Sequence, residues 1–459
     1  MTTTDPDTIE GRLKATTQLQ GDASDPSASV WVSANAGTGK THVLTNRVLR
    51  LLLAGSPPEK ILCLTYTKAA AAEMSTRVFS RLADWVTASD EDLSEMLGTL
   101  LGRDVLEADM HLARQLFTRS IETHGGLKVQ TIHAFCERLL QRFPLEAGVP
   151  PGFAILDDAL GARLKREAIN AVLDKATSAP ERPLGVALLT VIAYAQEDRF
   201  DDVISAALSN PEWLDGIFSV PIDVDGLDPK TNPDGYSTRV LDVFAGELRK
   251  TFDLASDADE AALKDQQAGV LGRDIANHMV SVFATGKSND VKTAEALKTA
   301  IASWDNVSAR VLAFEDAFCT KSGGPRAKLY TKGIQEAEPG LCDTLDDAQQ
   351  AFVAAQDRIN ALRAIEATKA LMRLADAVMQ VYTDTKARRA VLDYDDLILK
   401  TATLLATSGS ASWVLYKLDG GLDHILVDES QDTAPQQWQI IEGLAREFFS
   451  GEGARDDTR

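Results

Sequence analysis

Residues Ala34, Asn35, Ala36, Gly37, Thr38, Gly39, Lys40 and Thr41 set two glycines, a lysine and a threonine directly behind an apolar run. A glycine-rich turn leading from a strand into a helix exposes backbone N–H groups, and the helix N-terminus adds the positive end of a dipole, so such a turn can wrap a polyphosphate. Lys40 would then neutralise the outer phosphates and the Thr41 hydroxyl would hold Mg²⁺. The usual pattern begins with glycine; Ala34 stands there, one methyl larger. Far downstream, HILVDE (424 to 429) runs apolar into two acids, the way a central parallel strand delivers carboxylates to the crevice at its C-terminal end. Hydrolysis of a magnesium-bound nucleotide needs a phosphate cradle, a metal held by a hydroxyl and an acid, and a group that orients or deprotonates water. Asp428 and Glu429 supply the latter two. Each piece also has a plainer reading, the G-K-T as a surface turn and the acids as the start of a helix. Finding both behind apolar strands favours the nucleotide site.

The stretch TYTKAAAAEM (65 to 74) reads in two ways. As structure, Thr67 caps a helix whose alanines lie close against a sheet. As function, Thr65, Tyr66, Thr67 and Lys68 end a strand where hydroxyls and helix N–H groups bind phosphate and an exposed tyrosine stacks a base. TIHAF (131 to 135) has the same ambiguity: Thr131 and His133 are nucleic-acid contacts or, for the histidine, a satisfied member of the core.

These groups need a scaffold. SVWVSAN (29 to 35) reads as a strand, 40 to 55 as a helix, 59 to 67 as a buried strand, 68 to 85 as a second helix, and 127 to 136 as a third strand, with acidic helical sequence between. Strands alternating with helices at this spacing imply a parallel sheet. PLEAGVPPGFAIL (144 to 156) has the proline and glycine density of a linker, and residues 347 to 390 read as one long helix. The expected fold class is α/β, a P-loop parallel-sheet domain interrupted by a large, mainly helical insertion. Its parts would be 1–140 with the phosphate loop, 141–390 as the insertion, and 391–459 with the acidic strand end.

At 459 residues, with 44% hydrophobic and 25% charged, the chain has the composition of a globular protein of two or three domains. No secretory signal or membrane-length apolar run is present, which suggests a cytoplasmic chain without membrane association. Cys63, Cys136, Cys319 and Cys342 are widely spaced, so a metal cluster or disulfide framework is not expected. The net charge of −21 argues against a nucleic-acid partner only at face value, because a channel needs no more than a local basic lining.

The stretches NAGTGKT, LTYTKAAAAEM, TIHAF, LDYDDLI (392 to 398) and VDESQDT (427 to 433), in that order, resemble motifs I and Ia, the TxH element, the element before motif II, and motif II of the UvrD/Rep-type superfamily 1A DNA helicases. Within that superfamily, residues 31 to 53 and 61 to 74 are most similar to the helicase–nuclease subunits of the AddA type. The likeness is strong over 15 to 140 and 390 to 445 and thin between. It implies a RecA-like first domain split by a helical 1B domain, a 3′ to 5′ DNA helicase using ATP and Mg²⁺ in recombinational double-strand-break repair, single- and double-stranded DNA as substrates, and a partner subunit of the AddB type. Carried over by position, Lys40 and its loop hold the phosphates, Thr41 and Asp428 the Mg²⁺, and Glu429 activates water. Gln20 reads adenine, with Gln18 as its rival. Thr65, Tyr66, Thr67, Lys68, Thr131 and His133 face single-stranded DNA, with Tyr66 where the family usually has a stacking phenylalanine. Gln431 and Asp432 couple the nucleotide site to the moving parts.

The family would continue past Asp432 with motif III and a second RecA-like domain whose arginines complete the site. An arginine finger is worth about 10³ or more in rate, so the sequence as it stands suggests the ATP-binding portion of a motor, a truncated chain with little turnover of its own. Two other classes fit parts of the pattern: a P-loop module that binds nucleotide and DNA without stepping, and a small-molecule P-loop ATPase. The second leaves TYTKAAAAEM and TIHAF without a role.

Overall fold

The computed structural model describes residues 9–35, 39–123, 125–195, 199–209, 211–218, 231–407, 413, 414, 417 and 422–449. They form two units, one of residues 1–161 with 386–459, the other of residues 162–385. The insertion expected at 141–390 and the second unit thus have different limits.

In the first unit Ile61–Thr65 (β1) is buried at all five positions, the signature of a strand covered on both faces. It lies between two parallel neighbours, Lys128–Thr131 (β2) and His424–Val427, the latter pairing Leu64 with Val427 while β2 pairs Thr131 with Thr65. Side chains alternate across the sheet. Ile61 and Cys63 join a cluster with Val48, Leu52, Met74, Val78 and Trp85, whereas Leu62 and Leu64 join Phe135, Leu139, Leu397, Leu404 and Ile440. The first face is covered by Lys40–Leu53 (α2), Lys68–Thr87 (α3), Asp90–Leu101 (α4) and Glu107–Glu122 (α5), the second by Ile132–Arg142 (α6) and two helices from the end of the chain, Tyr394–Ala406 and Pro435–Phe449. Helix, sheet and helix layers around one short parallel sheet make this unit α/β.

Three expectations need correction. Residues 29–35 have no regular secondary structure, and Val30, Trp31 and Val32 are exposed. The β-branched and aromatic pattern suits a strand, but the segment is held by other contacts: Trp31 stacks on Trp438 at 6.1 Å and Arg47 takes the Ala28 carbonyl. The stretch 144–156 is folded rather than a linker. Its prolines and glycines make turns, with Gly148 and Gly152 at positive φ, while Val149, Phe153 and Leu156 between them are buried. Ala154–Ile155 (β3) pairs in parallel with Val391–Leu392 (β4), fastening the two sequence-distant parts of the unit together. The third strand covers only 128–131, and α6 begins at once behind it.

The second unit is helical. Arg273–Phe283 (α13), Ser288–Ala302 (α14) and Val307–Phe318 (α15) surround a core of Phe283, Leu297, Phe314, Phe318 and Phe352, the last on Pro339–Arg389 (α17), a helix of 51 residues. Among the described residues no helix is long and apolar enough to cross a membrane.

Gly443, on the helix Pro435–Phe449 (α19), permits a close approach to Tyr394–Ala406 (α18): a Cβ there would stand 2.9 Å from the Leu405 Cβ. Gly443→Ala is expected to destabilise the first unit by about 1–3 kcal/mol through overpacking, read as a lower thermal midpoint of the 459-residue chain.

Candidate nucleotide and nucleic-acid site

The register decides which side chains meet. Because Val427 of the last strand, His424–Val427 (β5), lies opposite Leu64, and Thr131 opposite Thr65, the three parallel strands end together. Asp428, Thr65 with Tyr66, and Thr131 with His133 therefore line one C-terminal sheet edge, the place where open α/β sheets bind ligands. Asp428 is 9% exposed. Its backbone N–H donates to the Leu64 carbonyl at 2.9 Å, and its carboxylate accepts from the Glu429 N–H at 3.1 Å. Burial lifts this carboxyl above the usual range, while the Glu429 amide and, more weakly, Lys40 pull it back.

Glu429 is a non-glycine residue in the left-handed region, φ 53° and ψ 44°, a conformation held at a cost where the surroundings fix it. Gln431 donates its side-chain amide to the Glu429 carboxylate, which ties this acid to the turn that follows it. Asp432 closes the same turn through its backbone, its N–H donating to the Glu429 carbonyl at 2.9 Å.

On the loop side, Gly39 takes φ 90° immediately before α2, which a side-chain-bearing residue rarely adopts. The Lys40 ammonium donates to the Ala34 carbonyl at 3.2 Å, and Thr41 is half-buried in the first turn of α2. Asn35 is exposed beside them; Ala36, Gly37 and Thr38 lie outside the described residues. Gln20 comes from Ile9–Ala23 (α1), yet its amide nitrogen would be 3.4 Å from a Cβ on Gly39. Gln18 instead bonds Asp22 along the helix surface at 3.0 Å. Two arginines of α2 explain the approach. Arg47 donates to the Asp25 carbonyl at 2.7 Å, and Arg50 to the Gly21 carbonyl and the Ser24 hydroxyl at 2.7 and 2.8 Å. They clamp the end of α1 and the turn behind it against α2.

Between residues 29–32, α2 and β5 lies a cavity of about 660 Å³, with Lys40, Asp428, Glu429 and Gln431 among its lining and Trp31, Val43 and Ile425 on its apolar walls. That size is in the range of small-molecule and cofactor sites.

The motif Ia and TxH residues divide. Thr65 is buried and bonds the Thr67 carbonyl at 3.1 Å. Thr67 caps α3 through the Ala70 N–H at 3.0 Å, and Thr131 caps α6 through the Ala134 N–H at 3.2 Å. These hydroxyls are committed to turns. Tyr66, 50% exposed, and the exposed Lys68 present free surface. His133 is half-buried, packed edge-on against Tyr394 at 5.4 Å. Burial lowers its pKa, which favours the neutral imidazole, with Asp395 opposing.

The sequence profile named for the UvrD/REP helicase N-terminal domain matches residues 15–449. The chain belongs to that family. Curated proteins named as ATP-dependent helicase/nuclease subunits, of the A kind, match it over nearly the same extent. The one from Lactiplantibacillus plantarum is 25% identical over 433 residues, covering 91% of this chain and 33% of its own length. That from Levilactobacillus brevis is 27% identical, covering 90% and 32%, and that from Latilactobacillus sakei is 24% identical, covering 90% and 45%. The chain thus spans about a third of the length of the first of these relatives.

Within this UvrD/REP helicase N-terminal domain, two groups were missed from sequence. The Arg47 and Arg50 clamp carries no motif, because arginine caps of backbone carbonyls follow no fixed spacing. Tyr394 was visible inside LDYDDLI but not as a neighbour of His133. It is placed by Lys386, 5% exposed, whose ammonium bonds Asp393 at 2.7 Å and Asp396 at 2.6 Å at the start of α18. Burial and the Asp393 charge raise the Asp396 carboxyl, and Lys386 offsets them.

Because Asp428 is more basic folded than unfolded, its ionisation costs folding free energy above its raised folded pKa, and that cost vanishes as pH falls through that value toward the unfolded one. Asp428→Asn is therefore expected to raise the thermal midpoint of the ligand-free chain at pH 7 by about 2 °C. The gain should fade on acidification to about pH 3.5, near the unfolded carboxyl value, as followed by circular dichroism.

Proposed function

We propose that the chain is the nucleotide-binding part of an ATP-dependent DNA helicase of the helicase–nuclease kind, a RecA-like domain split by a helical 1B-like insertion, acting with 3′ to 5′ polarity in recombinational repair of double-strand breaks. The observation that carries this reading is the meeting of Lys40, Asp428 and Glu429 at one sheet edge beside Gly39 and Gln20.

The residues fit magnesium–ATP. Asp428 is a buried carboxylate with raised basicity and one backbone donor, which suits a cation, and Thr41 stands in the first turn of α2 for the same role. Mg²⁺, when bound, supplies charge neutralisation between the phosphates. Lys40 would exchange the Ala34 carbonyl for the outer phosphates, a charge-assisted bond replacing a neutral one. The loop 34–39 would offer backbone N–H groups to the same phosphates, and Gln20, clamped against Gly39, would take the adenine edge. Glu429, held by Gln431, would take a proton from the attacking water. Gln431 and Asp432 lie on the exposed turn behind it and would pass the state of the site onward.

Tyr66, Lys68 and His133 with Tyr394 would meet single-stranded DNA by stacking and phosphate contact, and the capped turns of Thr65, Thr67 and Thr131 would set their positions. The relatives are named as subunits, which supports assembly of this chain with a partner of the AddB type. Among the described residues the arginine lining the cavity is Arg47, and it is spent on the Asp25 and Ala28 carbonyls. The phosphates therefore receive no guanidinium from it, and binding should exceed turnover.

Lys40→Ala is expected to weaken magnesium–ATP binding by tenfold or more, about 1.4 kcal/mol, in a titration with a fluorescent ATP analogue; unchanged affinity would overturn the reading. Tyr66→Ala and Tyr394→Ala are each expected to weaken single-strand binding by about 1–3 kcal/mol, measured by anisotropy of a labelled oligonucleotide, with nucleotide affinity unaltered.

A further inference from the structure

Two carboxylates and one ammonium are drawn together where α17 ends and α18 begins. Lys386 lies in the last turn of α17, 5% exposed, and donates to the Asp393 carboxylate at 2.7 Å and the Asp396 carboxylate at 2.6 Å. The same two acids close the start of α18. The Asp393 carboxylate accepts from the Asp396 N–H at 2.9 Å, and the Asp396 carboxylate from the Asp393 N–H at 3.1 Å. Tyr394 is the first residue of that helix, enclosed between the two acids.

The reciprocal caps bring two mostly buried carboxylates side by side, an arrangement that disfavours joint ionisation. Without the ammonium, one acid must take up a proton or turn outward, and turning outward abandons the backbone N–H that it caps. The chain between Lys386 and Asp393 is itself held, with Val391–Leu392 paired to Ala154–Ile155. The ammonium and the acids thus meet in a frame with little freedom to readjust.

What depends on this helix start is a pair of rings. Tyr394, 44% exposed, meets His133 edge-on, with ring centroids 5.4 Å apart and planes at 84°. His133 stands in the first turn of α6, whose start is set by the Thr131 hydroxyl. Both rings therefore sit on capped first turns. The cap of Thr131 is local to α6, whereas the one beneath Tyr394 draws on a charge from the preceding helix.

We propose that Lys386 is a positioning residue for single-stranded DNA binding, which by pairing with Asp393 and Asp396 holds Tyr394 against His133 in the orientation that meets a base. The proposal rests on the role given to Tyr394 above. Lys386 is too buried to offer its charge to a phosphate, so its effect on the strand runs through the tyrosine.

The test uses the full chain and two readouts, one of them free of DNA. The ring signals of His133, one of six histidines, are assigned in a proton–carbon NMR spectrum by their loss in His133→Gln. Tyr394→Ala gives their position once the tyrosine ring is gone. Affinity for a labelled oligothymidylate is measured by anisotropy, with magnesium–ATP binding as the control for folding. Lys386→Met is expected to move the His133 signals toward their place in Tyr394→Ala and to weaken the single strand about tenfold, the scale of one lost stacking contact. Nucleotide affinity should hold, and Lys386→Arg should keep both signals and strand. Adding Asp396→Asn to Lys386→Met should restore both, because the amide keeps an acceptor for the Asp393 N–H, removes one charge and gives the Asp393 carboxylate a donor. A lysine that served folding at large would not be answered by that second change. If Lys386→Met loses nucleotide binding, Lys386→Gln takes its place with the same expected directions. Unmoved His133 signals in the lysine variant, or signals that Asp396→Asn does not restore, would overturn the positioning. Signals that respond while every variant, Tyr394→Ala included, binds the strand equally would overturn the proposal through the role of Tyr394 instead.

Discussion

The arrangement of the first unit depends on the parallel register of three short strands. Pairing Leu64 with Val427 and Thr65 with Thr131 brings the ends of β1, β2 and β5 to one line, although the sequence separates β5 from β1 by most of the chain. A shift of one residue would turn Ile61 and Cys63 toward the cluster that holds Leu62 and Leu64 and would move Asp428 away from Lys40. Both hydrophobic clusters enforce the register, since each strand residue has a defined layer to enter. The small sheet of β3 and β4 adds a second fastening where the chain leaves and re-enters the unit.

With that edge fixed, polar groups take up the finer positioning. Arg47 and Arg50 bind carbonyls of the turn after α1 and so carry Gln20 to Gly39. Lys386 between Asp393 and Asp396 sets the start of α18 and with it Tyr394. Three threonines, Thr65, Thr67 and Thr131, spend their hydroxyls on the turns that present Tyr66 and His133.

Local features were legible in the sequence where one short-range signal dominates. Burial of β1 was visible in five residues without an interior charge, the start of α3 in Thr67, and the long helix in the periodicity that resolves as α17. The strand at 29–35 was misread because its β-branched pattern states a preference, whereas a strand also requires a bonded neighbour. The segment 144–156 was misread because proline and glycine mark turns without saying whether the residues between are buried. At the site, the types and order of Lys40, Thr41, Asp428 and Glu429 were readable, but their proximity comes from sheet register. The αL backbone of Glu429, the clamp on Gln20 and the pairing of His133 with Tyr394 arise from tertiary contacts that leave no spacing in the sequence.

The central claim is that the phosphate loop and the acidic end of β5 form one nucleotide site. Hydrogen exchange followed by mass spectrometry, with and without magnesium–ATP, tests it most directly. Slower exchange in 33–43 and 424–432 together, lost when Mg²⁺ is withheld and absent from α13 to α15, is the expected result. Protection of one stretch without the other, or of neither at saturating nucleotide, would contradict it.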